Sequence, residues 1–284
     1  MTLAHRLRAA AGNAGGGFVE TGLKLHWDFG DTNSWDGSST AINDLSGNNN
    51  TGTFSDNSGY TQNTTVGYVQ KTNGSNIKLD TSHLRLNGNS PFSLEYWHNA
   101  DGNVSDQGSY FFEHWDWHYR LSDGAQKHYQ WGLGFWAQGS YSTTGLSGYN
   151  IGVGNGSNLH DSAWANAYPT NTPTAFDSSP PYTYGGSTGW EQIVFSRENT
   201  NTNGFKVYRN GTLIYTGTEP KHFTQVLYGG WIRFTSTNDI LGGPTNAKVG
   251  IVRMYMDGSA SGGYLTATDV QQNYDAQKAR FGLS

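Results

Sequence analysis

The stretch at residues 189–217, GWEQIVFSRENTNTNGFKVYRNGTLIYTG, limits what this chain can fold into more than any other. It reads as three consecutive antiparallel strands. Residues 190–198 form the first, apolar on both faces around Ile193, Val194 and Phe195, as a central strand covered on both sides would be. The polar run at 198–204 is a turn. Residues 205–209 form the second strand, with Phe205 and Val207 on one face and Lys206 and Tyr208 on the other. Asn210-Gly211 joins it to a third strand at 212–216, because both residues tolerate the positive φ that a type I′ turn needs.

Other segments extend the all-β pattern. Residues 23–29 alternate strictly, which puts Leu23, Leu25, Trp27 and Phe29 on the inward face. Residues 249–255 form a closing strand, with Val249, Ile251, Arg253 and Tyr255 alternating with Gly250, Val252 and Met254. A helix follows. Thr266 with Asp269 three residues later is a capping-box-like start that places an acid near the positive helix end. Val270, Tyr274, Gln277 and Phe281 share one face, Lys278 and Arg280 stand in the last turn, and Gly282 ends the helix. Gly at 39 and Pro at 7 of 284 residues suit short strands joined by many turns, and a β-sandwich of this length commonly forms one domain.

Charge and composition exclude several function classes. A net charge of −5 supplies no basic field for phosphates, so no nucleic-acid partner is expected. Cys at 0 removes disulfides and thiolate metal sites. No apolar run approaches the roughly 18 residues of a membrane span. The N-terminus lacks the apolar centre of a secretory signal. Aromatic residues at 14% match charged residues at 14%, so many rings must be buried or used at an interface, which points to a homo-oligomer.

Residues 1–17, MTLAHRLRAAAGNAGGG, differ from the rest. A short basic helix carrying Leu3, His5, Arg6, Leu7 and Arg8 leads into a Gly-rich link. It is marginal in water by itself, so it reads either as a loose tail or as an arm that orders on docking to a partner. Residues 137–188 read as a long insertion, stiffened by prolines and carrying Trp164, Tyr168, Phe176, Tyr182 and Tyr184. These rings are candidates for glycan or subunit contact, the other reading being a cap over the core. Asp31, Asp36 and Asp44 stand on turn-rich loops and offer hard oxygen ligands suited to calcium, without a fixed-spacing signature. No other cofactor is expected.

In residues 110–121, YFFEHWDWHYRL, one strand face would carry His114, Asp116 and His118, either a metal-ligating trio or a solvent-facing edge. Trp115, Trp117 and Tyr119, with Tyr129, Trp131 and Trp136 beyond, either stack on sugars or fill the core of a two-sheet sandwich. Catalysis is not expected. Retaining glycosidases hold two carboxylates roughly 5 Å apart. Glu113 and Asp116 are an odd number of residues apart, which puts them on opposite strand faces, and so are Glu191 and Glu198. No Ser-His-Asp order or His-Glu-x-x-His is found.

Trp190 opening a strand, a polar turn, and a strand ending in Tyr208-x-Asn210-Gly211 together resemble the core meander of laminin-G-like, concanavalin A-like jelly rolls. GSNIKL at 74–79 with PFSLEYW at 91–97 resembles the early strand pair of that family, and VGIVRMY at 249–255 plus the terminal helix its closing strand. The likeness covers residues 22–284. INDLSGNNNTGT at 42–53, where Asp44 and Ser46 would hold a turn, is similar to a recurrent segment of bacteriophage structural proteins. The tail from Leu265 to Arg280-Phe281-Gly282 is similar to phage-encoded members too. Members that hydrolyse glycosides carry Glu-x-Asp-x-x-Glu or a close variant on one strand face, and Glu113-His114-Trp115-Asp116 departs from it.

The resemblance implies an all-β, two-sheet antiparallel jelly-roll sandwich at 18–284 behind an arm at 1–17. It further implies a non-enzymatic virion structural protein of a tailed bacteriophage: a capsid decoration, knob or head-fibre subunit, or a tail appendage. An extracellular-type fold without an export signal fits a protein released by lysis. The arm would dock on capsid or tail proteins, and a lectin-like domain would face out. The alternative is a stand-alone glycan-binding module for cell-surface polysaccharide.

Overall fold

Period-2 patterning and Gly-rich turns produce an antiparallel sandwich. A computed structural model of the chain describes residues 17–54, 59–71, 77–80, 91–99, 109–121, 126–138, 148–153, 189–198, 204–217, 231–234, 248–256 and 263–284. The early strands are β1 (Leu23–Asp28), β2 (Ala41–Ile42), β3 (Gly52–Phe54), β4 (Tyr60–Asn63), β5 (Tyr68–Lys71), β6 (Ile77–Asp80) and β7 (Phe92–Asn99). Then come β8 (Ser109–Leu121), β9 (Gln126–Gln138), β10 (Gly148–Val153), β11 (Glu191–Arg197), β12 (Phe205–Arg209), β13 (Thr212–Gly217), β14 (Trp231–Phe234) and β15 (Lys248–Tyr255). The helix α1 (Ala267–Gln277) runs into a 3₁₀ turn at Lys278–Phe281. For β6, β8–β10 and β14 the backbone alone is described.

The first sheet has the order β13-β12-β11-β7-β15-β5-β4, with β1 beside β15, and the second has β10-β9-β8-β14-β6-β3-β2. Their pairings are antiparallel, and the two-sheet sandwich with a C-terminal helix is the architecture expected. β7 and β11 lie at the centre of the first sheet and are buried at every position. One face looks onto the second sheet. A Cβ at Gly52 of β3 would sit 2.4 Å from the Trp27 ring, so only glycine allows this approach. Nearby, Phe54 packs 4.7 Å from Trp35 and 4.6 Å from Tyr60, centroid to centroid.

The other face lies under α1. Val194, Tyr208, Tyr255, Leu265 and Val270 form one buried cluster there, and Trp97, Ile251, Tyr274 and Phe281 a second. Val270, Tyr274 and Phe281 are the helix face read from the sequence; Gln277 of that set is only half-buried. Thr266 and Asp269 close the capping box, and Gly282 ends the segment at φ 73°. The helix breaks to 3₁₀ at Lys278, earlier than a continuous run to Phe281. This turn delivers Arg280, which grips Asp28 through two 2.7 Å bonds and donates to the carbonyls of Val66 and Gly67. Ser93, Ser196 and Leu265 tie the helix entry to β7 and β11 through a ring of three hydrogen bonds.

Two β-bulges correct the strict alternation. The β1–β15 register shifts between Leu23 and Leu25, so Leu23 stands opposite Tyr255 and packs with the cluster under α1, not inward with Leu25 and Trp27. The β15–β7 register shifts between Val249 and Ile251, so Val249 pairs with His98 while Ile251 pairs with Trp97. The two therefore belong to opposite faces. Gly250 at this bulge lies against Phe281 and Trp190. Within the expected insertion at 137–188, Gly148–Val153 is a sheet strand paired with β9, which itself runs to Gln138.

The hairpin forms as read. Asn210 and Gly211 both take positive φ, 49° and 76°. The turn also docks on β11: Asn210 Oδ1 accepts from the Gln192 N–H at 2.9 Å, and the Gly211 N–H donates to Gln192 Oε1 at 3.2 Å. A Cβ at Gly211 would lie 2.6 Å from Gln271 Oε1. Gly211→Ala is therefore expected to cost about 1–2 kcal/mol from the left-handed backbone alone. A lowered urea midpoint with unchanged slope checks it; an unchanged midpoint contradicts it.

Candidate functional site

Charged residues rarely sit in a strand that is buried on both faces unless they are paired. Glu95 of β7 and Arg253 of β15 are opposite one another in register, His26 of β1 stands opposite Arg253 on the other side, and all three lie on the face beneath α1. Glu95 and Arg253 are both fully buried. Glu95 Oε1 accepts from Trp97 Nε1 at 2.8 Å and Gln192 Nε2 at 2.9 Å, and its Oε2 from Asn273 Nδ2 at 2.7 Å. Arg253 Nη1 reaches both carboxylate oxygens at 3.3 Å. Asn273 also donates to the Tyr255 hydroxyl at 2.9 Å. Burial and the Glu95 charge push the Tyr255 phenol far above its ordinary range.

The N-terminal segment 17–20 is laid over this row. The Phe18 ring lies 3.9 Å from Arg253 Cζ and meets the His26 ring edge-on at 4.8 Å. The Val19 N–H donates to Asn273 Oδ1 at 2.7 Å, and Gln272 Nε2 donates to the Gly17 carbonyl at 2.6 Å. Beside it is an open groove of about 520 Å³, lined by Gly17, Phe18, Val19, Glu20, Thr21, Asp269 and Gln272. Gly17 and Val19 are thus both held to α1.

A second polar group is made by β7, β11 and β12. Glu191 pairs with Arg209, and His98 lies opposite Glu191 in register. Burial holds the His98 imidazole down to about 4; the Glu191 charge opposes this and Arg209 adds to it. Glu198, seven residues on, is 3.4 Å from Lys206. Among the described residues these glutamates are engaged by the cations Arg209 and Lys206.

The loop aspartates are engaged one by one. Asp31 accepts from the Asn33 backbone and side chain. Asp36 accepts from the N–H groups of Ser38 and Ser39, which hold its carboxyl down to about 2. Asp44 accepts from the N–H groups of His26, Ser46 and Asn50 and from the Ser46 hydroxyl, which is the turn-holding role read for Asp44 and Ser46. Asp31, Asp36 and Asp44 are not assembled into a common site: among the described residues no group of three His, Cys, Asp or Glu side chains could hold a metal ion. No described helix is long and apolar enough to cross a membrane.

Of the residues that carry the family resemblance, Tyr208 is buried under α1, Trp190 packs 4.5 Å from Phe281, and Asn210 and Gly211 turn the hairpin. The arm residues Leu3, His5, Arg6, Leu7 and Arg8 lie outside the described residues. So do Trp164, Tyr168, Phe176, Tyr182 and Tyr184. The strand at 110–121 forms as β8, and the placement of its His, Asp and Trp side chains lies outside the description as well. Sequence reasoning assigned no role to Glu95, Arg253, His26, Asn273 or Phe18. The usable signal was a charge in the interior of each of two largely apolar central strands, Glu95 in β7 and Arg253 in β15.

No family model matches this sequence, and no curated protein sequence matches it. Among solved structures, the Trypanosoma rangeli sialidase in complex with 2,3-difluorosialic acid superposes with a TM-score of 0.54 at 10% identity, over 95% of this chain and 35% of that one. Domain 4 of AbnA, a GH43 extracellular arabinanase from Geobacillus stearothermophilus, in complex with arabinotriose, gives 0.48 at 17% identity, over 90% and 100%. The botulinum neurotoxin serotype D binding domain gives 0.47 at 13% identity, over 91% and 53%. The chain thus spans about half of that neurotoxin domain and about a third of the sialidase. The likeness to the sialidase chain is one of fold, and the architecture of this chain is an antiparallel β-sandwich.

Proposed function

We propose that this chain is a non-enzymatic structural protein of a tailed-bacteriophage virion, a capsid decoration, knob, head-fibre or tail-appendage subunit. The arm ahead of Gly17 docks it on capsid or tail proteins, and the lectin-like sandwich faces out. The observation that carries this reading is the seam at residues 17–20. Phe18 stacked on Arg253 and two hydrogen bonds to α1 fix the point where the arm joins the domain. A basic arm leaving a fixed point can order on a partner while the sandwich keeps its own fold. The non-enzymatic part is supported by the carboxylates: Glu95, Asp28, Asp44 and Glu191 are each engaged by donors of their own fold.

Removal of residues 1–16 separates this reading from the stand-alone glycan-binding module. The truncated chain is expected to keep its unfolding midpoint, because Gly17 and everything after it remain, yet to stop co-sedimenting with particles. Saturable binding on a glycan array by full-length and truncated chains alike, with neither sedimenting on particles, would favour the glycan module instead.

A further inference from the structure

The row beneath Phe18 has a donor edge that the Glu95 network does not use. Arg253 spends Nη1 on Glu95, which stands on β7. The three nitrogens of a guanidinium radiate evenly in one plane, so its Nε–Nη2 edge faces directly away from Nη1. Since β15 lies between β7 and β1, that edge faces β1, where His26 stands opposite Arg253. Nε and Nη2 of Arg253 and Nε2 of His26 have no hydrogen-bond partner among the described residues. Both side chains are more than nine-tenths buried, at 0% and 7% exposure. What covers both is the Phe18 ring, which offers a π face and no acceptor.

This donor set has a chemical match. The side-on edge of a guanidinium fits the two oxygens of a carboxylate with two parallel hydrogen bonds. Burial, aided by the Arg253 charge, holds His26 down to about 3, so its imidazole stays neutral and in one tautomer offers an Nε2–H as a third donor. We propose that the face under Phe18 is a carboxylate-binding site closed by the segment 17–20: when the Phe18 ring lifts, the Nε–Nη2 edge of Arg253 and Nε2 of His26 receive a small carboxylate, free or carried by an acidic sugar. Glu95, on the far side of the guanidinium, already balances its charge, so binding falls in the millimolar range. This site does not depend on what residues 1–16 dock to.

The test uses the full chain and its Phe18→Ala variant, which removes the ring and leaves both backbone ties of the segment in place. Sodium acetate and sodium glucuronate are titrated by NMR, with sodium chloride and glucose as controls. Phe18→Ala is expected to bind both carboxylates saturably and at least about tenfold more tightly than the unsubstituted chain. Adding Arg253→Lys, which cannot form the fork, removes that gain. Adding His26→Phe, which leaves the Glu95 pair intact, weakens binding too and serves if the lysine variant fails to fold. Glucuronate binding tighter than acetate assigns the site to acidic sugars; equal affinity assigns it to the carboxylate alone. Glucose binding as tightly as glucuronate, or a Phe18→Ala affinity no better than that of the unsubstituted chain, overturns the proposal.

Discussion

Replacing Glu95 with alanine is expected to destabilise the chain by about 3–5 kcal/mol, the usual cost of breaking a buried ion pair from one side. Glu95 lies at 0% exposure and accepts from Trp97, Gln192, Arg253 and Asn273, which come from β7, β11, β15 and α1. Removal leaves Arg253 as a buried charge with no counter-ion and three neutral donors without an acceptor. Glu95→Gln keeps an acceptor for some of these donors but still strands the Arg253 charge, so it should fall between the two. Adding Arg253→Met to Glu95→Ala removes the stranded charge and should recover part of the loss. Urea midpoints of the four proteins decide it. A double variant as unstable as Glu95→Ala would mean that volume, not charge, sets the cost.

The second large effect is acid lability, centred on His26 and His98. Burial holds His26 down to about 3 and His98 down to about 4, both below the 6.5 of an unfolded chain. The sign follows from proton uptake. Below pH 6.5 the unfolded chain gains two protons that the folded chain refuses, so stability is full above that pH and falls as pH drops. The decline ends only where the folded imidazoles themselves protonate, near 4 and 3. Between pH 6.5 and 4.5 the two sites together should remove up to roughly 4–5 kcal/mol, at 1.36 kcal/mol per pH unit per site. The carboxyls held low, Asp28, Asp36 and Asp275, act below 3.8 and do not contribute in this window. Urea midpoints at the two pH values, compared with His26→Gln and His98→Gln, test it. Each variant should lose about half of the difference; an unaltered pH dependence in both contradicts it.

What could be read from the sequence is what neighbours along the chain decide. Asn210-Gly211 set the turn because a type I′ turn needs two consecutive residues that accept positive φ, and they took φ of 49° and 76°. Thr266 and Asp269 capped the helix because the capping box spans three residues. Asp44 and Ser46 held their turn by short-range bonds. Register was the hidden part. A bulge adds one residue to a strand without a compositional mark, so the strict alternation at 23–29 gave no warning that Leu23 would turn to the opposite face. The Glu95–Arg253 pair joins residues 158 apart, and His26 joins the row only through the same register. Phe18 was assigned to the domain with no role, because nothing local says that a ring near the start of the chain will cover an arginine near its end.

The most direct test of the proposed function is high-resolution imaging of purified virus particles carrying this chain with and without residues 1–16. Density for the sandwich at a defined symmetry position, lost on truncation while the particle survives, is the expected result and identifies the arm as an anchor. Unchanged occupancy without the arm, or particles on which the chain is never found, would contradict the virion reading.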